Sequence, residues 1–522
     1  MISLMKRLTR IFLIAVQAGT ILNCAGDKIE YPTAPVNAKA GSLILKRGTF
    51  RTKSASYKAD FGTLVVPENR DDADSRSIEL PVARIHATDG NAAEPIFRLE
   101  GGPGISNMKL NPRDYLLAKH DFVVVGYRGV DGSSVLDCPE VEKAMKGGTD
   151  DALGEASLRE VGDAWMDCAS RFKKNGVDID GYNMMEVVED MEAARTALGY
   201  ERINLLSMSY GTRVAYLYAL KHPDCIHRSV MIAVNPPGHM VWEPRTIDAQ
   251  LKYYAGLWAK DPQASARSSD LLATMRNVFY HMPRTWLFFD IDPGKVRMVT
   301  FLLLFHRQTA PLTFDAYIAA AHGDPSGLAL MSIVYNHVMP SAMTWGEMAS
   351  KAVSADFNSS RNYFTEMDPP NSIMGSPLGK LLWGALRFGA WPIKYIPEEY
   401  RKLRRSDVET LLIGGSVDFS TPAEFAANEL LPHLSRGRQV VLSEMGHVDD
   451  VWAVQAEVTE RLLTSFFETG TPDTSLCTYV PMDFNVAWGL PKIAKVALAA
   501  VIGGTVVIGG GVVWIVLFIK RR

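Results

Sequence analysis

The chain has 522 residues, of which 47% are hydrophobic and 22% are charged, as is typical of a globular protein. The formal net charge is −3, and no basic stripe interleaved with aromatic residues occurs, which argues against a nucleic-acid partner. A chain of this length can bury a large core and form more than one folding unit.

The first 23 residues resemble a targeting segment. Three basic side chains precede a short apolar run, residues 11–22, which is the pattern of a secretory signal peptide. Cleavage after Ala18 fits the small-residue rule, whereas lipidation at Cys24 would follow from the similarity of ILNC to a bacterial lipobox. An uncleaved N-terminal anchor over residues 1–23 is the third interpretation, beside signal cleavage and lipidation.

The other end of the chain predicts a membrane span. Residues 496–519 carry no charge and are long enough to cross a hydrocarbon core of about 30 Å. The basic residues that close the chain favour a cytoplasmic C-terminus. We therefore expect an exported protein anchored in the cell membrane, with its body on the periplasmic or extracellular face.

Between these ends, the pattern predicts a polar, poorly ordered approach segment over residues 24–54 and then a region of alternating strands and helices over residues 55–237. Such alternation is typical of an α/β fold with a mostly parallel central sheet flanked by helices. The predicted elements are strands at 61–67, 78–85, 95–100, 121–127, 203–206 and 227–237, and helical periodicity at 180–200.

The pattern changes over residues 238–400, which are rich in Trp, Met, Phe and Tyr and show short helical runs with little strand signal. Strand patterns resume at 408–418 and 437–447. We therefore predict a helical cap inserted between the first part of the core and a second part over residues 401–482.

The strand at 203–206 runs into a turn of small residues and then an amphipathic helix, with Ser209 at the apex of the turn. This arrangement is the nucleophile elbow, in which a strained turn exposes a serine hydroxyl. The usual motif is G-x-S-x-G; here Ser207 replaces the first glycine and Gly211 is retained. Ser209 is the predicted catalytic nucleophile, and an ordinary helix N-cap serine is the alternative.

A serine nucleophile needs a base, and the base needs an acid that orients it. After a nucleophile elbow the chain order is serine, acid, histidine. Asp418 follows the apolar run at 411–413, and His447 follows Gly446 after the last predicted strand. We predict Asp418 as the catalytic acid and His447 as the base; two further acids, at 449 and 450, lie too close to His447 in sequence to orient its ring.

The segment LEGGPGISN, residues 99–107, is the predicted oxyanion loop. Backbone N–H groups stabilise the negative charge that builds up on a carbonyl oxygen during acyl transfer, and glycine lets the backbone approach closely. Since Pro103 has no N–H, we predict that the amides of Gly102 and Tyr210 form the oxyanion hole.

Together these segments resemble the prolyl iminopeptidase and tripeptidyl aminopeptidase family of serine exopeptidases. GGPG, YRGVDGSS, SYGTR, NPP, GGSVDFSTP and MGH follow one another in that family's order, and the similarity spans roughly residues 55–480. The resemblance implies an α/β-hydrolase fold with a helical cap, no metal or organic cofactor, and release of short units from peptides with a free N-terminus.

Two positions depart from the family pattern. Glu100 precedes GGPG where the family often has histidine, which leaves substrate choice open. Gly126 stands where the family has aspartate, and Asp131 appears nearby; we interpret this second change as structural.

The sequence thus predicts a serine aminopeptidase, with a carboxylic-ester hydrolase using the same triad as the alternative and a catalytically silent binding protein as a third class. The resemblance also implies acidic groups, expected from the cap, near the substrate's free amine. Glu347, Glu366 and Asp368 are the candidates, and none is preferred.

Five cysteines occur, and none forms a CxxC or His/Cys cluster that would suggest a metal site. Without Cys24, four remain and allow three pairings. A disulfide between Cys138 and Cys168 joins residues that are near in sequence and would leave Cys225 to pair with Cys477. Buried free thiols are the alternative.

Overall fold

The computed structural model describes residues 29–52, 55–147 and 150–500. The predictions for residues 1–23 and Cys24, and nearly all of the predicted span at 496–519, lie outside these ranges. Within them, every helix is too short or too polar to cross a bilayer. Residues 490–500 are helical.

Nine strands of the described chain form one sheet. They are β1 (Leu43–Arg51), β2 (Ser56–Pro67), β3 (Ser77–Ile85), β4 (Ala93–Leu99), β5 (His120–Val125), β6 (Ile203–Met208), β7 (Ile226–Ile232), β10 (Glu409–Gly415) and β11 (Gly437–Leu442). Their order in the sheet is β1-β2-β3-β5-β4-β6-β7-β10-β11. A separate hairpin pairs β8 (Thr285–Trp286) with β9 (Phe289–Asp290).

The sheet is mostly parallel, which confirms the prediction. The ladders from β5 through β4, β6, β7 and β10 to β11 are parallel, whereas those joining β1, β2, β3 and β5 are antiparallel. All residues of β6 and all but the first of β10 are buried, as expected for strands covered on both faces.

The first strand corrects one expectation. Residues 43–51, predicted to belong to a poorly ordered approach segment, form β1 and pair along their whole length with β2. Most residues of β1 are exposed because it is an edge strand, and this exposure explains why its sequence reads as polar.

Helices cover the sheet and fill the segment between β7 and β10. Those longer than one turn are α1 (Pro139–Met145), α2 (Glu155–Lys174), α3 (Met184–Ala197), α4 (Tyr210–Lys221), α5 (Pro244–Lys260), α6 (Pro262–Arg267), α7 (Leu271–Tyr280), α8 (Pro293–Leu303), α9 (Ala310–Ala321), α10 (Ser326–Val338), α11 (Trp345–Asp356), α12 (Val448–Val454) and α13 (Ala456–Thr469). Single turns lie at Asp114–Leu117, Tyr363–Glu366, Pro377–Gly379, Glu398–Arg401 and Ala423–Phe425.

We call residues 233–408, between β7 and β10, the helical insert. It contains α5 to α11 and the β8–β9 hairpin. Several of its aromatic side chains, among them Trp258, Trp345 and Trp383, are almost fully buried and belong to the same hydrophobic cluster as the core helices. The insert is therefore packed onto the core through a continuous apolar interior.

The carboxyl ends of the parallel strands position the predicted site. Ser209 follows β6, the oxyanion loop follows β4, Asp418 follows β10 and His447 follows β11. Because parallel strands end at the same edge of a sheet, and ligands of open α/β sheets bind there, four segments distant in sequence meet at one edge.

The cysteines confirm one pairing and correct the other. Cys138 and Cys168 form a disulfide that links the start of α1 to α2. Cys225 and Cys477 are unbonded, so the pairing inferred from counting the remaining thiols is wrong. The Cys225 thiol instead lies 3.2 Å from the carbonyl oxygen of His222, and Cys477 is exposed.

Replacing both Cys138 and Cys168 by serine should lower the free energy of unfolding by about 3 kcal/mol, because the bond closes a loop of moderate length. Urea unfolding followed by circular dichroism measures this change. Cys477→Ser, at an exposed free thiol, is the control and should change the value by less than about 0.5 kcal/mol. Alkylation of Cys138 and Cys168 in the non-reduced, unfolded protein would contradict the pairing.

Candidate active site

Ser209 occupies a strained turn between β6 and α4. Its backbone has φ 49° and ψ −121°, a conformation that costs a residue other than glycine about 1–3 kcal/mol. The Ser209 amide donates to the carbonyl of Ile232 at 2.9 Å, and its carbonyl accepts from the Thr212 hydroxyl at 2.6 Å. These contacts hold the turn that the sequence predicts as a nucleophile elbow.

Close packing around the turn explains its small residues. A Cβ atom at Gly211 would lie 2.3 Å from the carbonyl oxygen of Leu99, so α4 can approach β4 only with glycine there. Ser207, in place of the first motif glycine, is fully buried, and its hydroxyl donates to the carbonyl of Val230 at 3.0 Å. A serine is thus accommodated where the motif usually has glycine.

Asp418 and His447 meet as predicted. His447 Nδ1 lies 2.9 and 3.0 Å from the two carboxylate oxygens of Asp418. The carboxylate also accepts from the amides of Ser420 and Thr421, at 3.0 and 2.8 Å. A proton on Nδ1, facing Asp418, leaves Nε2 as the proton acceptor of the ring.

Ser209 and His447 line the same cavity. Among the described residues no hydrogen bond joins the Ser209 hydroxyl to His447, which is common in sites of this kind before substrate binds. Burial lowers the pKa of His447, but the carboxylates near it, Asp418 foremost, outweigh burial and raise the pKa above 6.5.

The two acids next to His447 in sequence do not orient its ring. Asp450 accepts hydrogen bonds from the amides of Arg307 and Gly446, both at 2.8 Å. Asp449 lines the cavity, and its carboxylate lies 3.9 Å from Nε2 of His306. Burial raises the pKa of both carboxyl groups.

The predicted oxyanion donors lie on two loops that meet beside Ser209. A Cβ atom at Gly101 would come within 2.8 Å of the Ser209 Cβ, so the loop after β4 packs directly on the elbow. Gly102 has φ +71° and, within the described chain, no hydrogen-bond acceptor for its amide. Tyr210 is the first residue of α4, where amides have no partner within the helix. Both amides are therefore available to an oxyanion.

Glu100, the first of the two departures from the family pattern noted in the sequence, is held by its neighbours. Its carboxylate pairs with Arg98 and accepts from the Gly101 amide at 3.0 Å. Its own amide donates to Asn107 at 2.8 Å. Glu100 thus stabilises the loop that carries Gly102.

The second departure from the family pattern is structural. Asp131 accepts from the Ser106 hydroxyl at 2.6 Å and from the amides of Asn107 and Tyr127 at 3.0 and 2.9 Å. A Cβ atom at Gly126 would lie 2.6 Å from the Asp131 Cβ. The aspartate at 131 and the glycine at 126 therefore fit together.

One contact of the insert with the oxyanion loop was not foreseen. Gly104, two residues after Gly102, donates its amide to the Glu347 carboxylate and accepts from the Thr344 amide at 2.9 Å. Glu347 and Lys351 lie one turn apart on α11, are fully buried, and approach to 3.3 Å. Burial raises the pKa of Glu347 and lowers that of Lys351. The one sequence signal for this burial is the position of Glu347 within an apolar helix.

None of the three acidic candidates of the insert lines the cavity. Glu347 is fully buried beside Gly104, Glu366 pairs with Arg361, and Asp368 pairs with Arg297 and Lys380. The carboxylates that do line the cavity are Glu100 and Asp449, both from the core.

The cavity has a volume of about 930 Å³, near the upper end of the usual range for small-molecule sites. The insert contributes an apolar part of its wall. These residues are Met240, Trp242, Leu302, Phe305, Met343, Met348 and Leu378.

Comparison with known proteins agrees with this architecture. Residues 94–297 match a family model described as the α/β hydrolase fold. This chain has the α/β-hydrolase fold.

The chain is also distantly homologous to the tripeptidyl aminopeptidases of Streptomyces lividans and Streptomyces coelicolor. Each is 26% identical over 241 residues, which are 43% of this chain and 44% of the relative. The match thus spans less than half the length of these relatives. Among solved structures, a thermophilic esterase from Thermogutta terrifontis is similar with 12% identity and a TM-score of 0.36, covering 78% of this chain and 98% of that one.

The raised pKa of His447 predicts the pH dependence of activity. A base must be neutral to accept a proton, so kcat/KM should rise with pH through an apparent pKa above 6.5. Asp418→Asn removes the nearest negative charge, and should move this limb to lower pH and reduce kcat on the order of 10⁴-fold. A pH–rate profile in which the limb of the variant coincides with that of the wild type would contradict the assignment.

The buried pair on α11 predicts a large effect on stability. Glu347→Ala leaves Lys351 buried without its partner and should lower the free energy of unfolding by about 3 kcal/mol or more. Adding Lys351→Met should recover part of this loss. Glu366→Ala is the control, because its surface pair with Arg361 should contribute less than about 1 kcal/mol. Urea unfolding measures the free energy of unfolding of all three variants. An equal decrease in Glu347→Ala and in the Glu366→Ala control would refute the interpretation.

Proposed function

We propose that the protein is a serine hydrolase that cleaves peptides near a free N-terminus through an acyl-enzyme. The contact of His447 Nδ1 with Asp418, at 2.9 Å, carries this proposal, because it places an oriented base on the cavity that Ser209 lines. The distant homology to tripeptidyl aminopeptidases supports the peptide substrate.

In the proposed mechanism, Ser209 Oγ attacks the carbonyl carbon of the scissile bond while its proton passes to Nε2 of His447. Asp418 holds the imidazole and stabilises its charged form. The amides of Gly102 and Tyr210 donate to the oxygen, which becomes negative in the tetrahedral intermediate. His447 then gives its proton to the leaving amine, and the acyl group stays on Ser209.

Water completes the cycle. His447 takes a proton from a water molecule, whose oxygen attacks the acyl carbon. Collapse of the second tetrahedral intermediate breaks the bond to Ser209 Oγ, which recovers its proton from His447. The released acid is the N-terminal unit of the substrate.

A free substrate amine needs a negative partner near the reacting carbon. Asp449 fits this role better than any acid of the insert, because it lines the cavity two residues after His447 and, among the described residues, forms no hydrogen bond. We therefore place the amine beside Asp449, as part of this proposal.

A carboxylic-ester hydrolase is the second candidate, and the apolar wall of the insert favours it. Seven apolar side chains line that part of the cavity, an environment that suits an acyl chain as well as an apolar peptide side chain. The triad and the oxyanion hole would work in the same way.

We also propose that the protein acts outside the cytoplasm. The disulfide between Cys138 and Cys168 supports this location, because such bonds persist in oxidising compartments. The basic and apolar pattern of residues 1–23 and the apolar run 496–519 are the further grounds for an exported, membrane-anchored protein.

Ser209→Ala should lower kcat on the order of 10⁴- to 10⁶-fold, since it removes the nucleophile and leaves the cavity in place. Release of product from peptide arylamides measures this loss. Ser207→Ala is the matched control, two residues earlier on β6, and should retain most of the activity because Ser207 is buried away from the cavity. A fluorophosphonate should label the wild type at Ser209; absence of the adduct in folded protein would refute the serine mechanism.

A screen of arylamides with free or blocked N-termini, together with p-nitrophenyl acyl esters, separates the two candidate functions. We expect cleavage of free arylamides and at least a tenfold loss of kcat/KM when the amine is blocked. Ester turnover without any arylamide cleavage would establish the esterase instead.

A further inference from the structure

The wall of the cavity has a second part, which comes from the core. It consists of the segment from the end of β4 to the start of β5 together with α12, and we call it the core wall. Its residues are Arg98, Lys109, Leu110, Asn111, Arg113, Leu116, Phe122, Val448 and Trp452. Unlike the apolar wall of the insert, the core wall carries several cations.

Two of these cations have no ion-pair partner among the described residues, although Lys109 is near enough to Asp449 to act against the rise that burial causes in the pKa of that carboxyl. Arg98 pairs with Glu100 and donates to the backbone carbonyl of Lys109 at 3.0 Å, which fixes the segment. Lys109 and Arg113 form no ion pair or hydrogen bond through their side chains within the described part of the chain. The Arg113 guanidinium lies 5.1 Å from the ring centroid of Trp452, a contact that leaves its N–H donors free.

Apolar side chains line the same cavity as these cations. Leu116, Phe122, Leu206 and Met208 line the cavity and are each at most 2% exposed. A charged group bound next to such a surface is shielded from water, so its attraction to Lys109 and Arg113 is stronger than at an open surface. A matching ligand therefore combines an apolar stem with a negative charge.

The acid next to the catalytic histidine limits where that charge can bind. Asp449 lies two residues after His447 and would repel an anion close to the reacting centre. The favourable place is therefore at the two cations of the core wall, Lys109 and Arg113, where guanidinium donors can bind both oxygens of a carboxylate.

We propose that the core wall is a subsite for a carboxylate carried by the substrate, namely the C-terminal carboxylate of a short peptide. This inference rests on the proposed peptide hydrolysis, because the carboxylate belongs to the part of the peptide beyond the scissile bond. With the amine beside Asp449 and the carboxylate at Lys109 and Arg113, the cavity selects short peptides with both ends free.

The experiment compares oligoalanines of increasing length that end in a carboxylate with the same peptides ending in a carboxamide. Binding is measured by calorimetry on full-length Ser209→Ala protein, which cannot turn the peptides over. We expect the carboxylate form of at least one length to bind roughly tenfold more tightly, the effect of one charge-assisted hydrogen bond. The wild type should show the same preference in KM, with kcat nearly unchanged.

Adding Lys109→Gln and Arg113→Gln should abolish the preference and leave binding of the carboxamide unchanged. Lys109→Arg with Arg113→Lys keeps both charges and should retain most of the preference, which separates charge recognition from a loss of folding. Lys402→Gln with Arg405→Gln is the matched control, since it removes two exposed cations outside the cavity and should have no effect. A carboxylate placed only on a side chain, in a peptide that ends in a carboxamide, shows whether the chain terminus itself is required.

Equal binding of carboxylate and carboxamide peptides at every length would overturn the subsite. A preference for the carboxylate that survives in the double glutamine variant would also overturn it, as would a preference that appears only with the side-chain carboxylate. Failure of peptide hydrolysis appears separately, in wild-type turnover. Tighter binding of the carboxylate form without turnover would support the subsite and refute the peptidase.

Discussion

The site depends on the strained backbone of Ser209. A residue other than glycine adopts φ 49° and ψ −121° only when its surroundings enforce it. Here β7 binds the Ser209 amide through the carbonyl of Ile232, and α4 runs so close to β4 that Gly211 cannot carry a side chain. The same crowding places Gly101 against the Ser209 Cβ, so the loop that offers the oxyanion amide is positioned by the turn that presents the nucleophile.

The insert completes the site from the other side. The carbonyl of Phe305, two residues after α8, accepts a hydrogen bond from the His447 amide at 2.7 Å. Thr344 and Glu347 bind the backbone carbonyl and amide of Gly104. The loop of the base and the loop of the oxyanion hole are thus each held by backbone hydrogen bonds to the insert. A displacement of the insert would change the position of His447 and of Gly102 together, so the insert acts on catalysis as well as on substrate choice.

Local patterns predicted the core of the site, because the strand, the tight turn and the helix around Ser209 leave their signature within a few residues, as do the strand ends before Asp418 and His447. Features set by distant parts of the chain were missed. The strand at 43–51 is defined by its pairing with β2, and its exposed side chains make the segment polar, so the sequence pattern did not predict a strand there. Counting thiols paired Cys225 with Cys477, although counting says nothing about distance. The burial of Glu347 could not be predicted from the sequence either, since the packing of α11 against the core decides which face of this helix is buried.

The distribution of charge in the cavity reverses one expectation about specificity. Recognition of a substrate's charged end was expected from the insert, yet the insert presents no charged side chain to the cavity, and its three candidate acids are buried or paired. The charged side chains come from the core, and Arg98 and Glu100 neutralise each other as an ion pair. Asp449, whose carboxylate lies 3.9 Å from Nε2 of His306, contributes the acid beside the catalytic histidine, and Lys109 and Arg113 contribute positive charges without ion-pair partners among the described residues. Since these groups lie on segments that also carry the oxyanion loop and His447, charge recognition and catalysis share one rigid edge of the sheet, and the insert selects by apolar shape.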